Sequence, residues 1–340
     1  MKCNSMRKYK KIILFYAILL ATATPVSAQD PVFSQFYASP LQLNPALTGT
    51  AEAPVFHLNY RNQWPNLNQA YATYAASFSQ LSKQLNSGFG VSVLADVAGN
   101  GIYNATQIGL SYAYNLQFNE NMYFRTGLEA NFVNKRLAWD KLIFLDQLNV
   151  ETGAFDANGN LNQTGEARPV ENINYFDFGF GGLLHTRYIY GGVAIKHLNA
   201  PKEGFFRFNN LDGELPLRVT FHAGGQIPLG EYNKIKKKTF LSPNILFTKQ
   251  RQFQQLNLGA YAQHESFFGG IWFRHTFSNA DAVILMAGYE MTYLKIAYSY
   301  DLTVSGLGVN SGGAHEISLI LNFERKNKGT NYNDCLNLFR

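Results

Sequence analysis

The run AHEISLILNF, from Ala314 to Phe323, decides the fold. Its apolar residues recur at a period of two, as in a β-strand with one apolar face: Ile317, Leu319, Leu321 and Phe323. A polar, basic stretch follows. We interpret the run as the closing strand of a transmembrane β-barrel, paired with a first strand near Val55–Arg61. Such pairing is required because hydrocarbon offers no hydrogen-bond partner to a free strand edge.

The first 28 residues are predicted to be a secretory signal peptide, outside the fold. A basic stretch ending at Lys11 precedes the apolar run Ile12–Leu20, and small residues up to Ala28 precede Gln29. The full chain carries a formal charge of +6, and five Lys/Arg with no acid lie in this leader. The mature chain is therefore close to neutral, which gives no support to a nucleic-acid partner.

Composition favours a membrane barrel over a soluble secreted β-protein, the alternative that remains open. Charged residues make up 15% of the chain and aromatic residues another 15%. No mature segment offers the roughly 18 apolar residues of a spanning helix, so strands with aromatic girdles account better for this composition. Cys335 alone remains after maturation, which excludes an intrachain disulfide and a cysteine zinc site.

Alternation and turn residues predict about fourteen strands of an antiparallel barrel. They are Val55–Trp64, Ala70–Gln80, Ser87–Val97, Ile102–Phe118, Asn121–Leu137, Ile173–His185, Arg187–His197, Leu217–Leu229, Thr239–Lys249, Phe253–His264, Ser266–Phe277, Ala282–Met291, Tyr293–Leu302 and Ala314–Phe323. The three longest connections all follow odd-numbered strands: Ala138–Asn172, Leu198–Pro216 and Thr303–Gly313. They therefore share one end of the barrel, as the outer loops of such proteins do.

The alternation also assigns faces to individual side chains. A charge facing lipid is costly, so Asp177, Arg218 and Lys295 are predicted to face the lumen. The Gly pairs within strands are expected where the wall bends. The three tryptophans, Trp64, Trp139 and Trp272, are expected in the interface belts.

The stretch QDPVFSQFYASPLQLNPALTG, Gln29 to Gly49, carries a family resemblance. Its prolines and apolar residues predict an ordered, irregular segment on or in the periplasmic mouth of the barrel. The pattern DPxFSQ, then PLxxNPAxxG, is similar to the N-terminal signature of the PorP/SprF family of the type IX secretion and gliding machinery. The matching residues are Asp30, Pro31, Phe33, Ser34, Gln35, Pro40, Leu41, Asn44, Pro45, Ala46 and Gly49. The run Tyr60–Trp64 also resembles the end of the family's first strand.

Candidate partner contacts follow from this signature and from one basic turn. Lys236, Lys237 and Lys238 lie in an inward turn and are either ordinary solvated lysines or a docking rim. Arg61, next to Trp64, is hypothesised to stack on the N-terminal segment. The full set of candidates is Asp30, Pro31, Phe33, Ser34, Gln35, Phe36, Asn44, Pro45, Arg61, Trp64, Lys236, Lys237 and Lys238.

Enzymatic and metal signatures are missing from the sequence. No hydrolase, zinc-protease, P-loop or dinucleotide motif occurs, and the seven histidines are scattered. Asp156–Asn160 resembles half a calcium loop but is better read as an Asn-Gly turn. We expect no catalytic residue, no cofactor and no bound metal.

The expected organisation is a signal peptide over 1–28, a periplasmic segment over 29–53, the barrel over 54–323 and a periplasmic tail over 324–340. Both termini are then periplasmic, in the outer membrane of a Gram-negative bacterium. The resemblance implies a non-catalytic component of type IX secretion and gliding. Such a component is embedded in outer-membrane lipid, docks periplasmic secretion components and helps to export or anchor a surface protein. The alternative is a transport channel for small or hydrophobic solutes, with 29–49 as a plug.

Overall fold

A computed structural model describes residues 30–51, 53–67, 70–149, 152–156, 158–205, 213–229, 239–277, 279–306, 308–323 and 335–339. Fourteen strands run in chain order: β1 Val55–Gln63, β2 Tyr71–Ser82, β3 Ser87–Ala98, β4 Tyr103–Asn119, β5 Met122–Leu137, β6 Asn172–Thr186, β7 Ile189–Lys196, β8 Arg218–Gly225, β9 Thr239–Gln250, β10 Phe253–His264, β11 Phe267–Thr276, β12 Asn279–Glu290, β13 Leu294–Thr303 and β14 Ala314–Asn322. The pair Ile227–Pro228 continues β8 and hydrogen-bonds to β9.

The ring closes between the first and last strands. β1 pairs antiparallel with β14, from Val55 opposite Asn322 to Gln63 opposite Ala314. Each of the remaining strands pairs with the strands before and after it in the sequence, so both edges of every strand have hydrogen-bond partners. This confirms the predicted closed antiparallel barrel and the pairing of Val55–Arg61 with the last strand.

The predicted strands match the observed ones one for one, with small shifts at their ends. The largest shift at the start of a strand is in β12, which begins at Asn279 rather than Ala282. A bulge explains it, because the register with β11 changes beside Arg274 and leaves Asp281 as an extra residue. The bulge places the Asp281 carboxylate against the Arg274 guanidinium.

Side chains alternate between an apolar outer face and a polar lumen. In β6, Phe176, Phe178 and Phe180 are exposed on the outside, whereas Asp177 between them is only 2% exposed. Lys295 in β13 is likewise buried in the lumen. Arg218 shares its face with the buried Thr220 and His222. The predicted inward positions of these charged groups are confirmed.

The two ends of the barrel differ in the length of their connections. At the end where β1 begins, the connections are short: β3 begins five residues after Ser82, the last residue of β2, and β7 begins three residues after Thr186, the last residue of β6. We call this the short-turn end. The two longest connections follow β5 and β7 and, like the one after β13, lie at the opposite, long-loop end, as predicted. The prediction that the connection after β13 ranks third is wrong, because the stretch between Gly225 and Thr239 is longer. Within the described residues, the helices are too short or too polar to cross a membrane.

A charge on the outer face provides a test of this placement. Leu110, near the middle of β4, is 61% exposed on the outside. Leu110→Arg should destabilise the barrel in bilayers by about 2–4 kcal/mol, because the guanidinium would lie in hydrocarbon. Denaturant titration in lipid vesicles measures the change.

The control is Leu145→Arg, at a side chain that is 87% exposed in the loop between β5 and β6. That variant should change stability by less than about 0.5 kcal/mol. Equal effects of the two substitutions would contradict the assignment of the outer face to lipid.

Candidate functional site: the N-terminal segment inside the barrel

The N-terminal segment, Pro31–Ala51, is ordered and irregular, as predicted. It extends through the lumen, from Arg61 near the long-loop end to Gly88 at the short-turn end, rather than lying only at one mouth. It forms the 3-10 turn Phe36–Ala38, the short helix Pro40–Leu43 and the 3-10 turn Pro45–Leu47. Proline begins both of the last two elements, where its missing N–H costs no hydrogen bond. Almost every residue from Phe33 to Ala51 is buried, so the segment fills the barrel as a core fills a soluble protein.

Asn44 connects this segment to the wall at the junction of β6, β7 and β8. Its side-chain oxygen accepts the N–H of Ala46 at 2.9 Å, which caps the following turn. Its amide nitrogen lies 3.2 Å from the carbonyl oxygens of Gly182 and Val193, and 2.9 Å from His222 Nε2. The Asn44 side chain thus fixes both the local turn and its position in the lumen.

A buried cluster of charged groups holds the beginning of the segment. This ion cluster comprises Arg61 on β1, Arg274 on β11, Asp281 on β12, Asp301 on β13 and Glu316 on β14. Arg61 contacts both Asp301, at 2.9 Å, and Glu316, at 3.1 Å. Arg274 contacts Asp301 at 2.9 Å and also pairs with Asp281. Two guanidinium groups therefore face three carboxylates across the closing strands.

The N-terminal segment completes this cluster through Ser34 and Gln35. The backbone N–H groups of Ser34 and Gln35 donate to the two Glu316 oxygens at 2.8 and 2.9 Å. The Ser34 hydroxyl donates to Asp301 at 2.6 Å and accepts from Arg61 at 2.7 Å and Arg274 at 3.0 Å. Buried charges need such partners, so the barrel interior and the segment depend on each other.

Arg125 on β5 holds the end of the segment through backbone carbonyls. Its guanidinium donates to the oxygens of Ala46 at 2.9 Å and Gly49 at 3.1 Å, and also to that of Thr48. Without Arg125, these three carbonyl oxygens would lose this buried hydrogen-bond donor. The wall thus supplies the hydrogen bonds that the segment cannot make for itself.

Glycines in the wall allow the segment to approach closely. A Cβ on Gly181 would lie 1.9 Å from Asn44 Oδ1, and one on Gly127 would lie 2.3 Å from the Pro45 carbonyl carbon. At Gly88 it would lie 2.1 Å from the Thr48 oxygen. Gly181 therefore provides space for the segment.

Aromatic packing fills the other side of the lumen. The Tyr37 ring stacks on Trp272, with centroids 6.4 Å apart, and lies 5.8 Å from Tyr261. Phe36 meets Trp272 edge-on at 6.3 Å. The expectation of a belt position is wrong for Trp272, which is buried in the lumen because Gly259 and Gly270 leave room for its indole. It is also wrong for Trp139, which is buried against Phe144 in the loop after β5.

The predicted site residues fall into three groups. Phe33, Ser34, Gln35, Phe36, Asn44, Pro45 and Arg61 are buried together in the lumen, whereas Asp30 and Pro31 are partly exposed. Trp64 lies apart at the long-loop end, where its backbone N–H donates to the Gly313 carbonyl oxygen at 2.7 Å. Lys236, Lys237 and Lys238 lie outside the described residues, as do the leader and residues 324–334. Arg61 meets the segment through hydrogen bonds rather than by stacking.

Sequence reasoning did not identify most of the groups that hold the segment. Arg125, Arg274, Asp301 and Glu316 were not singled out. A signal was present, since each is a charged residue at an inward position of a strand whose outer face is apolar. The structure brings them to the segment, while the partner-contact role of the predicted residues stays a prediction.

The chemistry available in the lumen is that of packing and ion pairing. The described part of the chain contains no group of three or more His, Cys, Asp or Glu suited to hold a metal. In the loop after β5, Asp156 Oδ1 accepts the N–H groups of Asn158 and Asn160, both at 2.8 Å, so this stretch forms the predicted turn.

A comparison with protein families matches residues 26–321 to the model described as "Type IX secretion system membrane protein PorP/SprF". The chain belongs to the PorP/SprF family. The match spans the N-terminal segment and the barrel, and together with the fold it locates the protein in the outer membrane and associates it with type IX secretion. A comparison with curated proteins gives no match.

Solved structures resemble this PorP/SprF chain at low identity. A Pseudomonas aeruginosa FadL homologue shares 12% identity over 83% of this chain and 93% of its own, with a TM-score of 0.44. The P. putida toluene transporter TodX shares 10% identity over 83% and 93%, with a TM-score of 0.46. The CymD monoaromatic hydrocarbon channel shares 13% over 89% and 96%, with a TM-score of 0.44. These values carry no argument about function.

The ion cluster makes a strong prediction about stability. Arg61→Met should lower the free energy of unfolding by about 3–5 kcal/mol, because Asp301 and Glu316 would keep buried charge without their shared partner. Denaturant titration in detergent measures this change. Arg168→Met is the control, since Arg168 pairs with Asp140 at the exposed surface and should contribute at most about 1 kcal/mol. A similar effect of both substitutions would show that the cluster does not hold the interior together.

The close approach at Gly181 gives an independent prediction. Gly181→Ala should destabilise the protein by about 1–3 kcal/mol and make the N-terminal segment more sensitive to protease, because the methyl group would displace Asn44. Gly191→Ala is the matched control on the next strand, where an added Cβ meets no atom within 4 Å. A protease-resistant segment in the Gly181 variant would contradict the close packing of Asn44 on the wall.

Proposed function

We propose that this PorP/SprF protein is a non-catalytic scaffold of the type IX secretion and gliding machinery. It docks periplasmic secretion components at one end of the barrel and helps to export or anchor a surface protein at the other. The observation that carries the proposal is the filled lumen, in which the N-terminal segment is tied to seven strands. Arg61, Arg125, Asp301 and Glu316 tie it to β1, β5, β13 and β14, and Asn44 ties it to β6, β7 and β8.

A filled lumen favours docking over transport. Opening a path would require the ion cluster to lose Ser34 and Gln35, which removes three of the hydrogen bonds donated to the buried carboxylates of Asp301 and Glu316. Packing of Tyr37 against Trp272 and Tyr261 opposes the same movement. The transport alternative therefore has no observation of its own in its favour.

The two ends of the barrel suit different partners. Short turns of such barrels face the periplasm and long loops face outward, so the short-turn end is the proposed docking end for periplasmic components. This orientation makes 230–238, with Lys236, Lys237 and Lys238, part of that end in sequence. At the other end, the loop after β5 presents Leu145 and its acidic neighbours to the outside, where a secreted protein passes or stays.

The docking proposal is tested by co-purification after mild crosslinking in cells. The variant Lys236→Gln with Lys237→Gln removes two positive charges from the connection between β8 and β9. It should recover several-fold less of the periplasmic type IX components, because rim charges contribute to association. The matched control is Lys141→Gln with Lys202→Gln, which removes two charges from the loops of the long-loop end.

Equal recovery with both double variants would contradict docking through this turn. Conductance in planar bilayers tests the transport alternative separately. The scaffold proposal expects no steady current from the wild-type protein, whereas a stable open channel would support transport.

A further inference from the structure

The C-terminal segment, Cys335–Phe339, also lies inside the barrel, in its short-turn half. It forms a short 3-10 turn in which Leu336 and Phe339 are buried, with Phe339 at 0% exposure. In a 3-10 turn residues three apart lie on the same side, so these two side chains form one apolar face. The segment belongs to the same apolar cluster as Phe36, Tyr37 and Val55.

The contacts of this segment define a pocket on the lumen side of the barrel wall. The Cys335 N–H donates to the Arg187 oxygen at 3.1 Å, and its thiol lies 3.1 Å from the Thr186 oxygen. The Phe339 ring meets Tyr190 edge-on, with centroids 5.3 Å apart. Its carbonyl oxygen lies 3.2 Å from His57 Nε2. One edge of the pocket is thus the turn between β6 and β7, and its floor is formed by Tyr190 and His57.

The C-terminal segment is held differently from the N-terminal one. The hydrogen bonds just named join it to backbone carbonyls and to an imidazole, and none of them involves a carboxylate. The N-terminal segment, in contrast, satisfies the charged groups Glu316 and Asp301. Loss of the hydrogen bonds just named would therefore leave no carboxylate without a donor, and the described contacts of the buried Leu336 and Phe339 side chains are apolar.

The C-terminal segment is covalently joined to β14, so it is an intramolecular ligand of this pocket. β14 ends at the short-turn end, Phe323 follows it, and eleven residues separate Phe323 from Cys335. Because the segment is part of the same chain, it competes at an effective concentration that a free peptide must overcome to occupy the pocket.

We propose that the short-turn half of the lumen contains a peptide-binding pocket, built from His57, Tyr190 and the Thr186–Arg187 edge. Its ligand class is a short apolar peptide with Leu and Phe three residues apart. The C-terminal segment of the same chain occupies it reversibly while the barrel stays folded. This inference does not depend on the proposed scaffold function.

The native cysteine reports on this exchange in the wild-type protein. Cys335 is the only cysteine in residues 29–340 and is buried while the segment is bound. The experiment measures the rate of Cys335 labelling by a maleimide in folded, detergent-solubilised protein. The added probe is a synthetic peptide of residues 332–340 carrying Cys335→Ser. It should capture the vacated pocket and raise the labelling rate at least about tenfold, saturating with peptide concentration.

Two controls make the result specific. The same peptide with Phe339→Ala should need a concentration at least about tenfold higher for the same acceleration, because it lacks the buried phenyl ring. The full-length variant Phe339→Ala should label rapidly without added peptide. Its labelling should be compared with that of Phe56→Ala, an aromatic residue on β1 that faces outward and should leave the rate unchanged. Heat-modifiable gel mobility confirms that each sample stays folded.

The proposal is overturned by either of two results. Wild-type Cys335 that labels only when the barrel unfolds would show that the segment is a permanent part of the core. Equal acceleration by the two peptides would show a nonspecific effect on the barrel. Neither result affects the co-purification test of the scaffold function, so the two proposals fail independently.

Discussion

The structure depends on closure of the strand ring between β1 and β14. In hydrocarbon an unpaired edge has no water to replace its partner, so the first strand must find the last one across more than two hundred residues of chain. Closure then defines two surfaces with opposite requirements. The outside must be apolar, and the inside must be filled or hydrated. Much of the remaining structure serves to fill the inside of the barrel.

The N-terminal segment answers it by serving as the core of the barrel. Ser34 and Gln35 lie where the closing strands bring Arg61, Asp301 and Glu316 together. The segment therefore satisfies charges that only the closed ring creates. Because Arg61 is on the first strand and Glu316 on the last, this cluster also ties the seam of the barrel from within.

A filled lumen agrees with the family to which the chain belongs, since a secretion-machinery component can act through its surfaces alone. The two terminal segments share the interior but differ in chemistry. The N-terminal one neutralises buried charge, and the C-terminal one contributes apolar contact through Leu336 and Phe339. This difference separates a fixed element of the fold from one that can exchange.

The sequence by itself determined the strand count, the strand ends, the position of the long loops and the inward direction of Asp177, Arg218 and Lys295. These features follow from the period of two and from the cost of a charge in lipid, which are local properties of each strand. That the segment from Pro31 to Ala51 has an ordered conformation could also be predicted, because its prolines and apolar side chains are unsuited to a free tail. Only the tertiary structure decided what that segment touches. Glu316 and Ser34 are 282 positions apart, and Gly181 is small because Asn44 lies against it. The positions of Trp272 and Phe339 in the lumen likewise depend on which strands face each other across the barrel, and no local pattern in the chain encodes that arrangement.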